Sequence, residues 1–277
     1  MIESKVESSF RTTVLTAATG YYHLFVIPYA ASYHYFNPDS RFEFFVDDPK
    51  DFEIKYEKGL RILRDRLGAE NLVISCPTTD HLHPNHHQAV PRFFQTPTIE
   101  TEFIYIGDVD VLILDSMITH QHELNMERNE LPFSNVLRNQ DPNEEKPRLT
   151  GLHFSRYDSY YPLPLDKIVQ EDQIELDEFA LHELVRAKVG DFEIKHRFRP
   201  PHGFHFSDKL DFWDKYSSRQ VGLHLSYLQN YQLLRRTEFW EEIKSSFSLI
   251  FLTWLDCLDR TMEILWPSQT ELPIIKP

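Results

Sequence analysis

The first 115 positions run in apolar blocks broken by polar punctuation, a spacing that predicts strands alternating with helices. Thr13 to Ala18 (TVLTAA) is a short apolar run ended by Thr19 and Gly20, the pattern of a buried strand entering a turn. Tyr22 to Tyr35 is apolar and aromatic without strict alternation, and its length suits a buried helix stopped by Asn37 and Pro38. Phe42 to Val46 (FEFFV) is a second strand, closed by Asp47, Asp48 and Pro49. Asp51 to Leu67 sets Ile54, Leu60, Leu63 and Leu67 on one side of a helix. Asn71 to Ser75 (NLVIS) predicts a third strand, His86 to Phe94 a helix, and Phe103 to Ile106 (FIYI) a fourth strand.

This order is that of an α/β fold, a mostly parallel central sheet with helices on both faces. Ligands of such sheets bind beyond the carboxyl ends of the strands. That rule gathers Thr16 to Gly20, Asp47–Asp48 and Gly107 to Asp110 on one rim. Further on, Asn139 to Arg148 reads as an exposed loop, Thr150 to Phe154 (TGLHF) as a strand, and Leu176 to Val189 as a helix with acids in its first turn. Phe192 to Phe206 suggests a strand pair, and Val221 to Arg236 and Phe239 to Leu265 two amphipathic helices. The expected organisation is one domain over 1–210 with a C-terminal helical region, 211–277, packed on it.

Composition narrows the function. With 29 basic and 43 acidic residues the formal charge is −14, which lacks the basic stripe a nucleic-acid binder needs. An anionic nucleotide is still compatible with this charge, because a bound divalent cation can supply the missing positive charge locally. The two cysteines, Cys76 and Cys257, lie far apart among apolar neighbours and are expected to be buried free thiols of a reducing compartment. No apolar leader stands at Met1 to Phe10, and the longest apolar run, Leu249 to Leu255, is far shorter than the roughly 20 residues of a membrane span. A cytoplasmic location is expected.

The sharpest chemical signal is Phe103 to Ile113 (FIYIGDVDVLI). An Asp-x-Asp directly after a hydrophobic strand aims two carboxylates at the substrate edge of the sheet. Two hard oxygen donors there suit Mg²⁺ or Mn²⁺, which takes its remaining ligands from phosphate oxygens. Apolar residues on both sides make such a pair costly without a cation or solvent access.

Ala89 to Phe94 (AVPRFF) followed by Phe103 to Ile113 resembles the GT-A glycosyltransferases, most closely the glycogenin-like and bacterial lipopolysaccharide galactosyltransferase-like family 8. The first 115 residues carry the resemblance; the remainder follows it loosely. It implies a GT-A, Rossmann-like sheet, a UDP-sugar donor, a glycan or glycolipid acceptor in polysaccharide or lipopolysaccharide assembly, and a retaining transfer. Thr16, Ala17, Thr19 and Asp47 are then expected to line the nucleotide pocket. Asp108 and Asp110 would hold the metal, and Arg92 would contact the diphosphate or donor sugar, where a guanidinium gives bidentate hydrogen bonds; a buttressing salt bridge is its alternative role. The segment Arg199 to Lys209 (RPPHGFHFSDK) is similar to the family's late histidine segment, which makes His202 or His205 the third protein ligand and Lys209 a phosphate contact. The spacing departs from the family's, so the choice between the two histidines stays open. An imidazole ligand favours Mn²⁺ over Mg²⁺. Asp177 and Glu178 resemble the acid position after the acceptor segment and are the candidate catalytic residues; a first-turn acid is also ordinary helix chemistry.

Other histidines read more plainly. Asp80, His81, His83, His86 and His87 could bind zinc only if His83 and His87 shared a helix face across Pro84, so this cluster is read as a polar loop. His153 is either an acceptor-side residue or a packed strand histidine. The C-terminal helices could meet a membrane or a partner subunit, although Glu238, Glu241, Glu242, Asp256 and Asp259 disfavour an anionic lipid surface. Two rival classes remain: a metal-dependent nucleotidyltransferase or phosphohydrolase, and a non-catalytic acidic binding module.

Overall fold

The computed structural model describes residues 10–79, 82, 88–138, 147–165, 177–198, 200–206 and 221–265. Its centre is a six-stranded sheet of order β3-β2-β1-β4-β9-β6. The strands are β1 (Thr12–Ala17), β2 (Ser40–Phe45), β3 (Leu72–Ser75), β4 (Phe103–Ile106), β6 (Phe133–Ser134) and β9 (His153–Arg156). The first four are mutually parallel, and β9 runs antiparallel to both β4 and β6.

The inner parallel strands β1, β2 and β4 are buried on both sides, whereas the edge strand β3 is only partly covered. Successive residues alternate between two cores. Val14, Phe42, Phe44, Phe103, Tyr105 and Phe154 face one; Leu15, Phe45, Ile104 and Ile106 face the other. Against the first face pack α1 (His23–Phe36) and α3 (Glu57–Leu67), together with the C-terminal helices α7 (Val221–Arg235), α8 (Glu238–Lys244) and α9 (Leu249–Leu265). The second face is covered by the 3₁₀ turn Val90–Phe94, α5 (Tyr157–Tyr160) and α6 (Asp177–Val189). Among the described residues no helix is long and apolar enough to cross a membrane.

α1 is buried from His23 through Tyr33 on every side, as expected of a helix with no polar stripe. The helix predicted over 51–67 is instead two. α2 (Pro49–Lys55) starts at Asp48, whose side chain accepts from the N–H groups of Lys50 and Asp51, and the chain breaks at Tyr56 before α3. This break rotates Ile54 to the outside, where it is 79% exposed, while Phe52 is fully buried. The residues after 88 form a 3₁₀ turn where the sequence suggested a helix. The long C-terminal helix is likewise interrupted at 245–248.

α4 (Ile118–Asn129) is a helix the apolar pattern does not announce, because its inward side carries His122, Asn125 and Asn129. The strand pair suggested over 192–206 reduces, among the described residues, to β10 (Gly203–His205), which pairs with β5 (Val111–Ile113). A second short ladder joins β7 (Leu137–Arg138) to β8 (Arg148–Leu149). The two cysteines are exposed where burial was expected: Cys76 follows β3 onto the rim, and Cys257 lies on the outer side of α9.

Candidate metal and nucleotide site

The carboxyl ends of β1, β2 and β4 lie side by side, and the loops that leave them are tied together. Thr16 donates its hydroxyl to the carbonyl of Gly107 at 2.8 Å, which pins the Asp-x-Asp turn to the end of β1. Asp47 accepts from the Gly20 N–H at 2.7 Å, so the loops after β1 and β2 share a clasp. Gly20 itself has φ +57, a conformation that favours glycine.

The three side chains that could hold a metal come from two segments distant in sequence. Asp108 and Asp110 leave β4, and β5 begins immediately after them. β5 pairs antiparallel with β10 in a register that sets His205 opposite Val111. The Phe206 N–H donates to the Asp110 carbonyl at 2.7 Å and extends this ladder by one bond. His205 Nε2 consequently stands 3.3 Å from Asp110 Oδ1 and 4.0 Å from Asp108 Oδ2. One donor atom from each of the three side chains can be chosen so that all lie within 4.8 Å of one another. Asp110 forms the floor with 7% of its side chain exposed, whereas Asp108 and His205 are open at 46% and 42%.

Gly203 is what allows the two strands to meet. A Cβ there would fall 1.8 Å from the main-chain oxygen of Leu112, so the approach excludes any side chain.

Beneath the acids lies Arg92. Its guanidinium is buried and donates to Asp108 Oδ1 at 2.6 Å, to the Gly107 carbonyl at 3.3 Å and to Asp177 Oδ2 at 3.1 Å. Burial works against its charge, but Asp108, Asp177 and Asp110 outweigh that and raise its pKa above the ordinary value. Main chain closes over it at Gly151, where a Cβ would lie 2.7 Å from Arg92 Nη2. Arg92 thus pairs with the protein's own acids, the buttressing arrangement among its two expected roles.

The remaining candidates divide. Asp177, at the start of α6, joins the cluster through Arg92 and also accepts from the Glu178 N–H at 3.0 Å. Glu178 is instead held by Arg138 at 3.1 Å and Arg148 at 3.3 Å. Thr16 is buried with its hydroxyl used on Gly107, while Ala17 and Thr19 are half-buried at the rim and Thr19 Oγ1 lies 3.2 Å from Gln88 Oε1. Lys209 and the group Asp80, His81, His83, His86 and His87 lie outside the described residues. His153 is fully buried on β9, between the rings of Phe133 and Tyr160, with its Nδ1 3.2 Å from Asn135 Nδ2.

No protein-family model and no curated protein sequence matches this chain.

Of the two candidate histidines, the site takes in His205. His202 turns the other way: its Nδ1 is 3.0 Å from Asp115 Oδ2 and its Nε2 is 3.0 Å from His122 Nε2. It also carries φ +53, and this left-handed residue reverses the chain just before β10. The partners Asp115, His122 and Ser134 were not picked out from the sequence. Asp115 closes the apolar run VLIL, a signal of the same kind as Asp108, and could have been found on that ground. His122 sits on the polar-faced α4 and carries no such mark.

Proposed function

We propose that the protein is a metal-dependent glycosyltransferase of the GT-A type. It moves a sugar from a nucleotide-diphosphate donor, UDP-sugar first among them, to a hydroxyl of a glycan or glycolipid. The observation that carries this reading is the meeting of Asp108, Asp110 and His205 beyond the ends of the parallel strands.

The donor set fits a divalent ion. Metal–ligand bonds of about 2.1 Å put neighbouring octahedral ligands about 3 Å apart and opposite ones about 4.2 Å apart. The separations of 3.3 and 4.0 Å fall in that range. Two carboxylates with one imidazole suit Mn²⁺ better than Mg²⁺.

When bound, such an ion neutralises the charge that grows on a departing diphosphate. The chain's own residues do the positioning. Arg92 holds Asp108 by Oδ1 and leaves Oδ2 facing His205. Asp110 is fixed by the ladder bond from Phe206 to its own carbonyl. The Asp47–Gly20 clasp shapes the loop that would meet the nucleotide. Asp177 is the acid nearest this cluster through Arg92, which supports it over Glu178 for work on the acceptor side.

A thermal-shift series with UDP, GDP, CDP and ADP, each with and without Mn²⁺, tests the reading. A ligand at a hundredfold excess over its dissociation constant stabilises the folded state by about 2.7 kcal/mol, a readable shift. A Mn²⁺-dependent response to UDP that disappears in Asp110→Asn is expected. An unchanged response in that variant removes the metal assignment, and release of pyrophosphate or phosphate from a nucleotide substrate would favour the rival enzyme classes.

A further inference from the structure

Under the β5–β10 ladder runs a chain of buried polar side chains that the proposed chemistry does not use. It starts at Asp115, passes through His202 and His122, and ends at Ser134, with contacts of 3.0, 3.0 and 2.8 Å. His122, His202 and Ser134 are fully buried, and Asp115 nearly so. Every neighbour secures one end. Asp115 accepts from the Met117 N–H at 2.8 Å and from Gln121 Nε2 at 3.1 and 3.0 Å, and it is hydrogen-bonded to Tyr227 of α7. Ser134 accepts from Asn125 Nδ2 at 2.8 Å, and the His122 ring stacks on Phe154 at 4.9 Å. Four elements therefore converge on two imidazoles.

The protonation pattern is consistent along its length. Burial alone would raise the Asp115 carboxyl, but its bonds to His202, Met117 and Gln121 outweigh this and hold it below the ordinary carboxylate range. Burial, reinforced by His202 and His153, drives the His122 pKa far below its usual value and keeps that ring neutral. An ionised Asp115 accepts a hydrogen bond from the Nδ1–H of His202, and the hydroxyl of Ser134 can serve either tautomer of His122.

His202 also has a main-chain role. Its carbonyl accepts from the Leu114 N–H at 2.8 Å, the bond that opens the β5–β10 ladder, and its φ of +53 makes the turn into β10. A non-glycine residue holds that conformation only when its surroundings over-determine it. Three residues later the same strand presents His205 to Asp110.

We infer that His202 is a positioning residue: gripped by Asp115 on one ring nitrogen and by His122 on the other, it anchors the turn that starts β10 and so delivers the His205 imidazole to the metal site. This rests on the metal-site reading above.

The test measures Mn²⁺ binding alone, from the free-ion signal in electron paramagnetic resonance, with circular dichroism to establish that each variant is folded. His202→Ala is expected to weaken Mn²⁺ binding on the order of tenfold or more, the scale on which supporting residues of metal ligands act. His205→Ala weakens it directly. The double variant is expected to bind no more weakly than His205→Ala, because His202 acts only through that ligand. If His202→Ala does not fold, Asp115→Asn and His122→Gln are compared with His205→Ala in the same pairwise way.

A folded His202→Ala that binds Mn²⁺ like the unmodified protein overturns the inference, as do losses that multiply in the double variant. If Mn²⁺ binding is present and abolished by Asp110→Asn but indifferent to His202, only the positioning role falls. If the unmodified chain binds no Mn²⁺, the site reading falls and the inference with it.

Discussion

Replacing Gly203 with alanine attacks the narrowest point of the molecule. The added Cβ would stand 1.8 Å from the Leu112 oxygen, a main-chain atom that no rotamer change can move aside. An ordinary carbon–oxygen contact is about 3.4 Å, so β5 and β10 must part by roughly 1.5 Å. The two bonds flanking this point, Leu114 N–H to His202 at 2.8 Å and Phe206 N–H to Asp110 at 2.7 Å, would then stretch beyond hydrogen-bonding range. Two bonds at about 1 kcal/mol each, plus overpacking strain of about 1–3 kcal/mol, give a loss of roughly 3–5 kcal/mol. In a chain of this size the melting temperature should fall by about 6–15 °C, which differential scanning calorimetry resolves. His205 would leave Asp110 as the strands part, so Mn²⁺ should no longer raise the melting temperature. A Gly203→Ala protein that melts like the unmodified one and keeps its Mn²⁺ response would refute the close approach and the metal geometry built on it.

Other perturbations test the frame around the site. Burial lowers the His153 pKa to about 3, against 6.5 ordinarily, so below pH 6.5 the unfolded chain takes up a proton that the folded one refuses. Stability should therefore fall as the pH drops from about 6.5 to 3, by up to about 1.4 kcal/mol per pH unit from this residue, and urea titrations should find a shallower slope in His153→Gln. The Arg41–Glu43 pair, fully buried at 2.6 Å with Glu43 also accepting from Thr98 N–H at 2.8 Å, should cost about 3–5 kcal/mol when Arg41→Leu leaves the carboxylate unpaired; replacing both residues with leucine should cost less, as read from denaturant midpoints. Ile54→Lys should change stability by less than about 0.5 kcal/mol, while Phe52→Ala on the same short helix should cost about 3–5 kcal/mol by the same measurement.

The first four strands were legible because each centres on a short apolar run closed by polar residues at the rim. Asp108 and Asp110 were legible for the same reason: a pair of acids after such a run has few structural uses. What could not be read depended on tertiary position. Ile54 matches the apolar spacing of α3, yet the chain breaks at Tyr56 and the two helices do not share a face. α4 turns His122, Asn125 and Asn129 inward, so its buried side is polar and periodicity fails. β5, at three residues, is too short to signal itself. The two late histidines are both neighbours of the Gly203–Phe204 pair in sequence. Only the left-handed turn at one and the strand register at the other send His202 to Asp115 and His205 to the Asp108–Asp110 pair. Arg92 was found by its motif, while nothing local reveals that Asp177 reaches it from α6.

The pairing of β5 with β10 also bears on when the site comes into being. Asp110 and His205 are separated by roughly ninety-five residues, so their meeting closes a long loop. A ribosome that has delivered the whole parallel sheet has still not supplied the imidazole of that cluster. If the cluster holds an ion, its capture is a late event in maturation, because Asp108 and Asp110 are made long before His205.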